Sequence, residues 1–523
     1  MAISASRSAI LFLPVVRSFF NPELGKKAKE RVQKAAGSFG LDGIFPADDL
    51  YTGGSICTDA DVRAYFENEW KSRAADIKGM IVVGGNFMEE RAFQDTLRLL
   101  PADVPVFLLF QNDSPSKMDF ENRGDAYCGA LSIHRNASML GRRIIASRGI
   151  DMARDEILSA VLQEYLCIID GAESLRNMRI GMLGVNPVEF ATTFTNQMEL
   201  FRLGFSLHPY ELLDLWGGTV LAARQEENPD AAETLLPGIK PTNPISSTDP
   251  RIAATKERLS ELLGHTRTPA AKVDIMVRSF LWIQDLFERD GIDVAGIHCW
   301  TTFEQYFQVA PCTFSVLANS ILRKPIVCET DICHAIMSGL AWSMTGEPGV
   351  ILDLNNPGWD PRVVSLFHCS QTPPEWIAGR GEIDEHTIIA DAPAVGPGNA
   401  YGVVEGPISP EKFTAVSAAT SATSFDATIF QGQILAEEVG SFGSNGWAFI
   451  PNHQEVLDSI HERGIHHCVI MKGHLGDQVR AALEIRGLNV VDRSVPVPAL
   501  EEIEKELGPV PVGGRQVCAL HSR

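Results

Sequence analysis

Three stretches near the N-terminus, AILFLPVV (9–16), GMIVVGG (79–85) and VPVFLLF (104–110), are apolar almost without interruption. A strand with one face in water alternates apolar and polar residues. A strand covered on both faces reads instead as a continuous apolar run. Runs this short do not cross a membrane, which takes about 20 apolar residues. The segments between them carry helical periodicity, over 23–36 and 60–75. DEILSAVLQEYLCIIDG (155–171) closes the series, with Gly171 as its expected stop. Strands and helices in alternation build a parallel sheet with helices on both faces. The expected fold class is α/β: two doubly wound parallel-sheet domains followed by a β-rich, barrel-like C-terminal domain.

The second α/β domain starts at MRIGMLGVNP (178–187) and includes a long polar loop, 217–248, of a length that is uncommon unless functional or mobile. Asp249-Pro250 opens a helix. Another follows over 269–290, with Val273, Val277, Phe280 and Leu281 on one face and Gly291 after it. DVAGIHCW (293–300) and PIVC (325–328) read as strands. Beyond about 345, strand-like pieces follow one another: GVILDLN, RVVSLFHCS, HTIIADAPA, YGVVEGPIS, KFTAVSAAT and DATIFQGQIL. The tail HHCVIMKGHLGDQVRAALEIRGLNVV (466–491) reads as strand, helix, strand, with Gly473 and Gly476 at the first junction. The expected domains are 1–172, 173–345 carrying Glu329, and 346–523 carrying Asp353 and His467.

A net charge of −21 over 523 residues repels phosphate backbones and anionic lipid, so neither nucleic acid nor a membrane is an expected partner. SAILFLPVV follows Arg7 but runs straight into Arg17 with no small-residue cleavage site, so it is read as a buried first strand rather than a signal peptide. Ten cysteines lie scattered without a CxxC pair, mostly in apolar context. That pattern points to reduced core thiols and a cytoplasmic protein.

In open α/β sheets, ligands bind at the carboxyl ends of strands. Glu329 ends PIVC. Asp353 ends VIL, ahead of a turn at Asn355-Asn356-Pro357-Gly358. His368 ends VVSLF, His466 and His467 begin CVIM, and His474 follows it. An acid after a strand is more often a helix cap, and Asp331 fits that task better than its neighbour. Glu329 is then left without a local structural role, while His334 lies one turn along the same helix. Two carboxylates with one or two imidazoles and no thiolate suit Mn²⁺, Mg²⁺, Co²⁺ or Fe²⁺ rather than structural zinc.

CETDICHAIMSGLAWSMTGEPGVILDLNN and HHCVIMKGHLGDQVRAALEIRGLNVV resemble the L-fucose isomerase and L-arabinose isomerase superfamily. L-fucose isomerases carry a metal-binding Glu in an A-T-E-N-D type stretch, an Asp after the next strand, and a His in an N-H-G-x-x-x-x-G-H-x-G stretch. H-H-C-V-I-M-K-G-H-L-G stands in place of the last, with His466 where the family has Asn. The resemblance implies that Glu329, Asp353 and His467 bind a divalent metal, usually Mn²⁺. It also implies that Glu329 and Asp353 move a proton between C1 and C2 of a sugar through a cis-enediol. His368 resembles the second metal-binding His of L-arabinose isomerases. Family members are homo-oligomers, often hexamers, whose first domain caps a neighbour's site. Arg17, His134 and Arg135 would face the substrate there, and Asn355, Lys472 and His474 are further substrate contacts.

The implied substrate is a small-molecule sugar: a pentose, a 6-deoxyhexose or a substituted hexose. An acid-substituted sugar of the sulfoquinovose type is the alternative, with Arg17, Arg135, Lys472 and Arg480 as candidates for its cationic pocket. Epimerisation or aldol cleavage through a similar enediolate, and non-catalytic sugar binding, are the remaining readings.

Overall fold

The computed structural model describes residues 7–48, 52–229 and 240–508. The chain divides into two compact units, one up to Glu173 and the other from Ser174.

The first unit is built on five parallel strands: β1 (Ala9–Val15), β2 (Gly43–Ile44), β3 (Ile77–Gly84), β4 (Val106–Gln111) and β5 (Ile144–Ile150), in the order β2-β1-β3-β4-β5. The three apolar runs are its central strands, and every residue of β1 is buried. The edge strands β2 and β5 have no such run, because an edge is covered less completely; β5 is buried only at its ends. Helices α1 (Pro22–Ser38), α2 (Asp59–Tyr65), α3 (Glu90–Leu99), α4 (Ala126–Met139) and α5 (Asp155–Ser174) connect the strands. The Asn21 side chain caps α1 by accepting from Glu23 N, and Thr58 with Asp61 forms a capping box on α2. The helix expected over 60–75 continues beyond α2 as a wider turn, Phe66–Trp70, and a tighter one, Lys71–Asp76. Gly171 does not stop α5. The helix runs through it to Ser174, because Ile168, Ile169 and Ala172 are all buried around it. That packing outweighs the roughly 1 kcal/mol a glycine costs inside a helix.

The second unit holds two sheets. The first is parallel, β7-β6-β8-β9, from β6 (Arg179–Leu183), β7 (Ser206–Tyr210), β8 (Val294–Ile297) and β9 (Ile326–Val327). Helices α6 (Arg251–Leu262), α7 (Ala270–Asp290) and α8 (Thr302–Tyr306) belong to this part. Val273, Val277, Phe280 and Leu281 are buried on α7, and Gly291 ends it at φ +63°. The long loop expected over 217–248 is helical in its first part, through Gly217–Leu221 and Ala222–Glu227. Val220 and Leu221 are buried there, so this part has a packing role that its polar continuation obscures; residues 230–239 lie outside the described residues.

Helix α9 (Ile332–Thr345) leads into the second sheet. Its strands are β10 (Val350–Pro357), β11 (Val363–His368), β12 (Glu382–Glu385), β13 (Tyr401–Pro407), β14 (Lys412–Thr420), β15 (Phe425–Ile434), β16 (Ser444–Phe449), β17 (His467–Lys472) and β18 (Asn489–Asp492). Six of them, β16-β11-β10-β17-β14-β15, close into a ring because β15 also pairs with β16. This is the expected barrel. Leu352, Val364, Phe413, Phe430 and Ile470 belong to one buried cluster of it. HTIIADAPA is not a strand: Thr387–Ala390 forms a short helix whose first turn is capped by the His386 side chain. Helix α9 packs against β8 of the parallel sheet and against β14 and β17 of the barrel, so the sheets on either side of residue 345 form one unit. Among the described residues no helix is long and apolar enough to cross a membrane.

Gly85 shows how tightly the first unit is packed. A Cβ there would lie 2.5 Å from Gly25 Cα and from Leu24 O, on the backbone of α1. Gly85→Ala is expected to destabilise the protein by about 1–3 kcal/mol through overpacking. Gly37→Ala, in open space on the same helix, should stabilise it by about 0.5–1 kcal/mol. Denaturant unfolding of the two variants measures both signs, and equal stability of Gly85→Ala and wild type would contradict the close approach.

Candidate active site

Strand β9 delivers the chain to Glu329 and there turns sharply. Glu329 and Thr330 have φ values of +58° and +51°, in the left-handed region that non-glycine residues, and β-branched ones above all, avoid. The surrounding structure holds this strained turn in place. Asn186 Nδ2 donates to the carbonyls of Glu329 and Thr330, at 3.2 and 3.0 Å, and Thr193 Oγ1 donates to Glu329 O at 3.2 Å. Gly296 on β8 lets the turn approach: a Cβ there would lie 3.0 Å from Thr330 Cα. Such strain clusters at functional sites. Here it turns the Glu329 side chain into the interior, where it is 4 % exposed.

The barrel brings two further groups to the same place. Asp353 and His467 lie directly opposite each other on the antiparallel strands β10 and β17. Opposed side chains on such a pair are neighbours, with Cβ atoms about 5 Å apart. Asp353 therefore lies within β10, which runs on to Pro357, and not at a strand end before a turn. His467 Nε2 is 3.3 Å from Asp353 Oδ1 and 3.5 Å from Glu329 Oε2. Both carboxylate oxygens are buried without a hydrogen-bond partner. The other nitrogen, His467 Nδ1, lies 2.8 Å from Asp331 Oδ2.

Asp331 does three things at once. Its Oδ1 accepts from His334 N and caps α9, as expected, while Oδ2 faces the Nδ1 atoms of both His334 (2.7 Å) and His467. His334 is fully engaged, since its Nε2 accepts from Ala418 N at 3.2 Å. His368 borders the cluster, its ring centroid 5.9 Å from that of His467. Both its nitrogens have neighbours: Nδ1 accepts from Cys369 N at 2.9 Å and Nε2 lies 3.3 Å from Cys328 Sγ. Trp300 Nε1 donates to Glu329 Oε1 at 3.4 Å, and Phe190 packs on Trp300.

Burial dominates the proton affinities. It raises Glu329 to about 7, with the charges of Asp353 and Asp331 adding to it and His467 opposing. It raises Asp353 to about 6. Burial would raise Asp331 as well, but His334 and His467 hold it well below the usual carboxylate range. For His467 burial works downwards and is outweighed by the bond to Asp331 and the three nearby carboxylates, which bring it up to about 9. Burial lowers His368 to about 3 and His466 to about 4.

Two orphaned carboxylate oxygens around an imidazole nitrogen, with the opposite nitrogen fixed by a carboxylate, form a donor set that fits a divalent cation. Four overlapping triplets of side chains could each hold a metal ion: Cys328 with Glu329 and His368, Glu329 with His466 and His467, Asp331 with His334 and His467, and Asp353 with His368 and His467.

The other expected contacts scatter. Asn355 is exposed two residues beyond Asp353 and accepts from Ser365 Oγ at 3.4 Å. Lys472 lies at the far end of β17 from His467, about 17 Å along the strand at 3.3 Å per residue. It is ion-paired to Glu347 at 2.6 Å, while His474, beyond it, contacts Gly432 O. Arg480 pairs with Asp477 and Asp492. In the first unit Arg17 is paired with Glu89 at 3.2 Å and stacks on Phe87, His134 is half-buried and Arg135 is exposed. The sequence reading missed Asn186, Thr193 and Trp300, which hold the Glu329 turn and its carboxylate. Only the adjacency of Trp300 to GIHC offered a signal.

Comparison with known proteins supports a fucose isomerase-like class for the N-terminal unit. Residues 12–176 match the family model described as fucose/sulfoquinovose isomerase, N-terminal domain. The match supports a sugar isomerase in general terms, and it includes no residue of the buried cluster. No curated protein matches the sequence.

The cluster makes stability depend on pH. Glu329, Asp353 and His467 all bind protons more tightly folded than unfolded. Glu329 does so between 4.5 and about 7, Asp353 between 3.8 and about 6, and His467 between 6.5 and about 9. Stability falls with rising pH wherever the folded state binds more protons. The thermal midpoint of chelator-treated protein is therefore expected to drop from about pH 6.5 to pH 9, while at lower pH the lowered His368 and His466, and below about pH 4 Asp331, pull the other way. Glu329→Gln should remove the part of the fall that ends at about pH 7. A midpoint that rises towards pH 9 would show that these groups are not buried together.

Proposed function

We propose that this protein is a metal-dependent aldose–ketose isomerase acting on a small sugar through a cis-enediol. One observation carries the reading. Glu329 Oε2 and Asp353 Oδ1, both buried without hydrogen bonds, converge on His467 Nε2, whose opposite nitrogen is held by Asp331. Buried polar atoms without partners are rare in folded proteins and point to a missing ligand.

Glu329, Asp353 and His467 would hold the divalent cation, Mn²⁺ in the first instance. Such a cation polarises adjacent sugar oxygens and offsets the negative charge that develops on them. His368 would have to give up the Cys369 N–H or its contact with Cys328 to join them, so we assign it to the wall of the site. Asp331 fixes the ring of His467 with Nε2 towards the carboxylates. Glu329 and Asp353 are the acid/base pair. One takes the proton from C2 of the open-chain aldose while O1 gains a proton, and the proton is then returned at C1 as O2 loses its own. Trp300, bonded to Glu329 and backed by Phe190, offers an aromatic wall for the apolar face of a sugar ring or chain. Assembly as a homo-oligomer, with Arg17 and His134 of one copy serving a neighbour's site, belongs to the same reading. A neutral sugar is favoured over a sulfonated one, because Lys472 and Arg480 of this unit are already paired with carboxylates.

The reading predicts that aldoses incubated with the Mn²⁺-loaded protein in D₂O convert to ketoses with deuterium at C1 or C2. Glu329→Gln should lower kcat by about 10²–10⁴-fold, the usual contribution of a general acid or base, with the fold intact by circular dichroism. Chelation should abolish turnover and Mn²⁺ restore it. Full activity in EDTA, or substantial activity in Glu329→Gln, would exclude the mechanism.

A further inference from the structure

A second recess in the C-terminal unit has a different chemistry. It is a cavity of about 500 Å³ between the helical stretch 212–227 and α8. Leu213, Trp216 and Tyr306 supply apolar walls, and Leu213 and Tyr306 are 67 % and 60 % exposed. Exposed apolar side chains gathered around a concavity mark a binding site more often than chance. The walls are fixed, since Trp216 Nε1 donates to Tyr306 O at 2.9 Å.

The polar groups give the recess a sign. Arg224 lines it, and its guanidinium has no carboxylate or hydrogen-bond partner among the described residues. Other arginines of the unit do: Arg251 pairs with Asp285, Arg278 with Asp274 and Arg289 with Asp290. A guanidinium without a partner among the described residues, in a recess lined by apolar side chains, is complementary to a carboxylate or sulfonate, which it can grip with two parallel bonds. Thr302 and Gln305 are the remaining polar members. Thr302 Oγ1 is engaged with His298 Nε2, and Gln305 Nε2 donates to Thr301 Oγ1, so both polar groups are held by neighbours in the structure. The volume is that of a small organic ligand, not of a peptide or a second chain.

We propose that this cavity binds a small organic anion with an apolar body, an aryl or alkyl carboxylate or sulfonate, its charge on Arg224 and its body between Trp216 and Tyr306. The site uses none of the residues of the Glu329 cluster and stands whether or not the chain is an isomerase.

The test is a fluorescence titration of the full-length protein with an anilinonaphthalene sulfonate, alongside the uncharged phenylnaphthylamine that shares its apolar body. Wild type is expected to bind one sulfonate per chain with energy transfer from tryptophan, and to prefer it over the uncharged dye. Arg224→Gln should weaken sulfonate binding by about tenfold, the scale of one charge-assisted bond, and erase that preference. Leu213→Glu, which sets a carboxylate at the mouth, should abolish binding of the sulfonate. Circular dichroism of both surface variants controls for folding. Equal affinity of wild type for the two dyes, or unchanged sulfonate binding in both variants, would overturn the proposal.

Discussion

The buried carboxylate of Asp331 is the interaction on which the C-terminal unit's chemistry depends. It starts helix α9, accepts from two imidazoles and is 1 % exposed. A charge in such surroundings is tolerated only when every lone pair is used, and removing one member leaves the others unpaired at a cost of several kcal/mol. The result is rigid. With Nδ1 of His467 committed, Nε2 has one direction to point in, and that direction contains the two unpartnered carboxylate oxygens. The helix cap, the barrel strand β17 and the strained turn at Glu329 are thereby linked.

The left-handed turn at Glu329 and Thr330 is the second part of the arrangement. A relaxed backbone after β9 would carry the Glu329 side chain elsewhere. Asn186 and Thr193, on the loop after β6, hold the turn by its carbonyls, and Gly296 on β8 leaves room for it. Three neighbouring strands of the parallel sheet thus aim one side chain. None of this strain shows in the sequence, because positive φ at a glutamate and a threonine has no compositional mark.

Where the chain follows simple periodicity, the sequence is a good guide. Continuous apolar runs gave the central parallel strands, and Gly291 marked the end of α7. The resemblance in CETD and HHCV pointed to Glu329, Asp353 and His467, and the structure gathers those three. Proximity along the chain misled where the chain is extended. Lys472 and His474 are near His467 in sequence, but a strand separates its ends by more than 3 Å per residue. Asp331 was legible as a helix cap, while its hold on His467 depends on the barrel folding back and was not. The short helix in HTIIADAPA and the buried helical part of 217–227 were hidden for a related reason: tertiary packing decides short apolar segments, and local propensity does not.

The cross-strand pairing of Asp353 with His467 also bears on how the protein is made. The two residues are distant in the chain and meet only as β17 inserts between β10 and β14. Non-local pairing of this kind pays its loop-closure entropy before any contact rewards it, and so comes late in folding. The cluster is therefore a feature of the finished barrel, absent from a chain in which β17 has not yet paired with β10 and β14. The two side chains become neighbours only when β17 is seated, so their meeting reports the closure of the barrel and no earlier step.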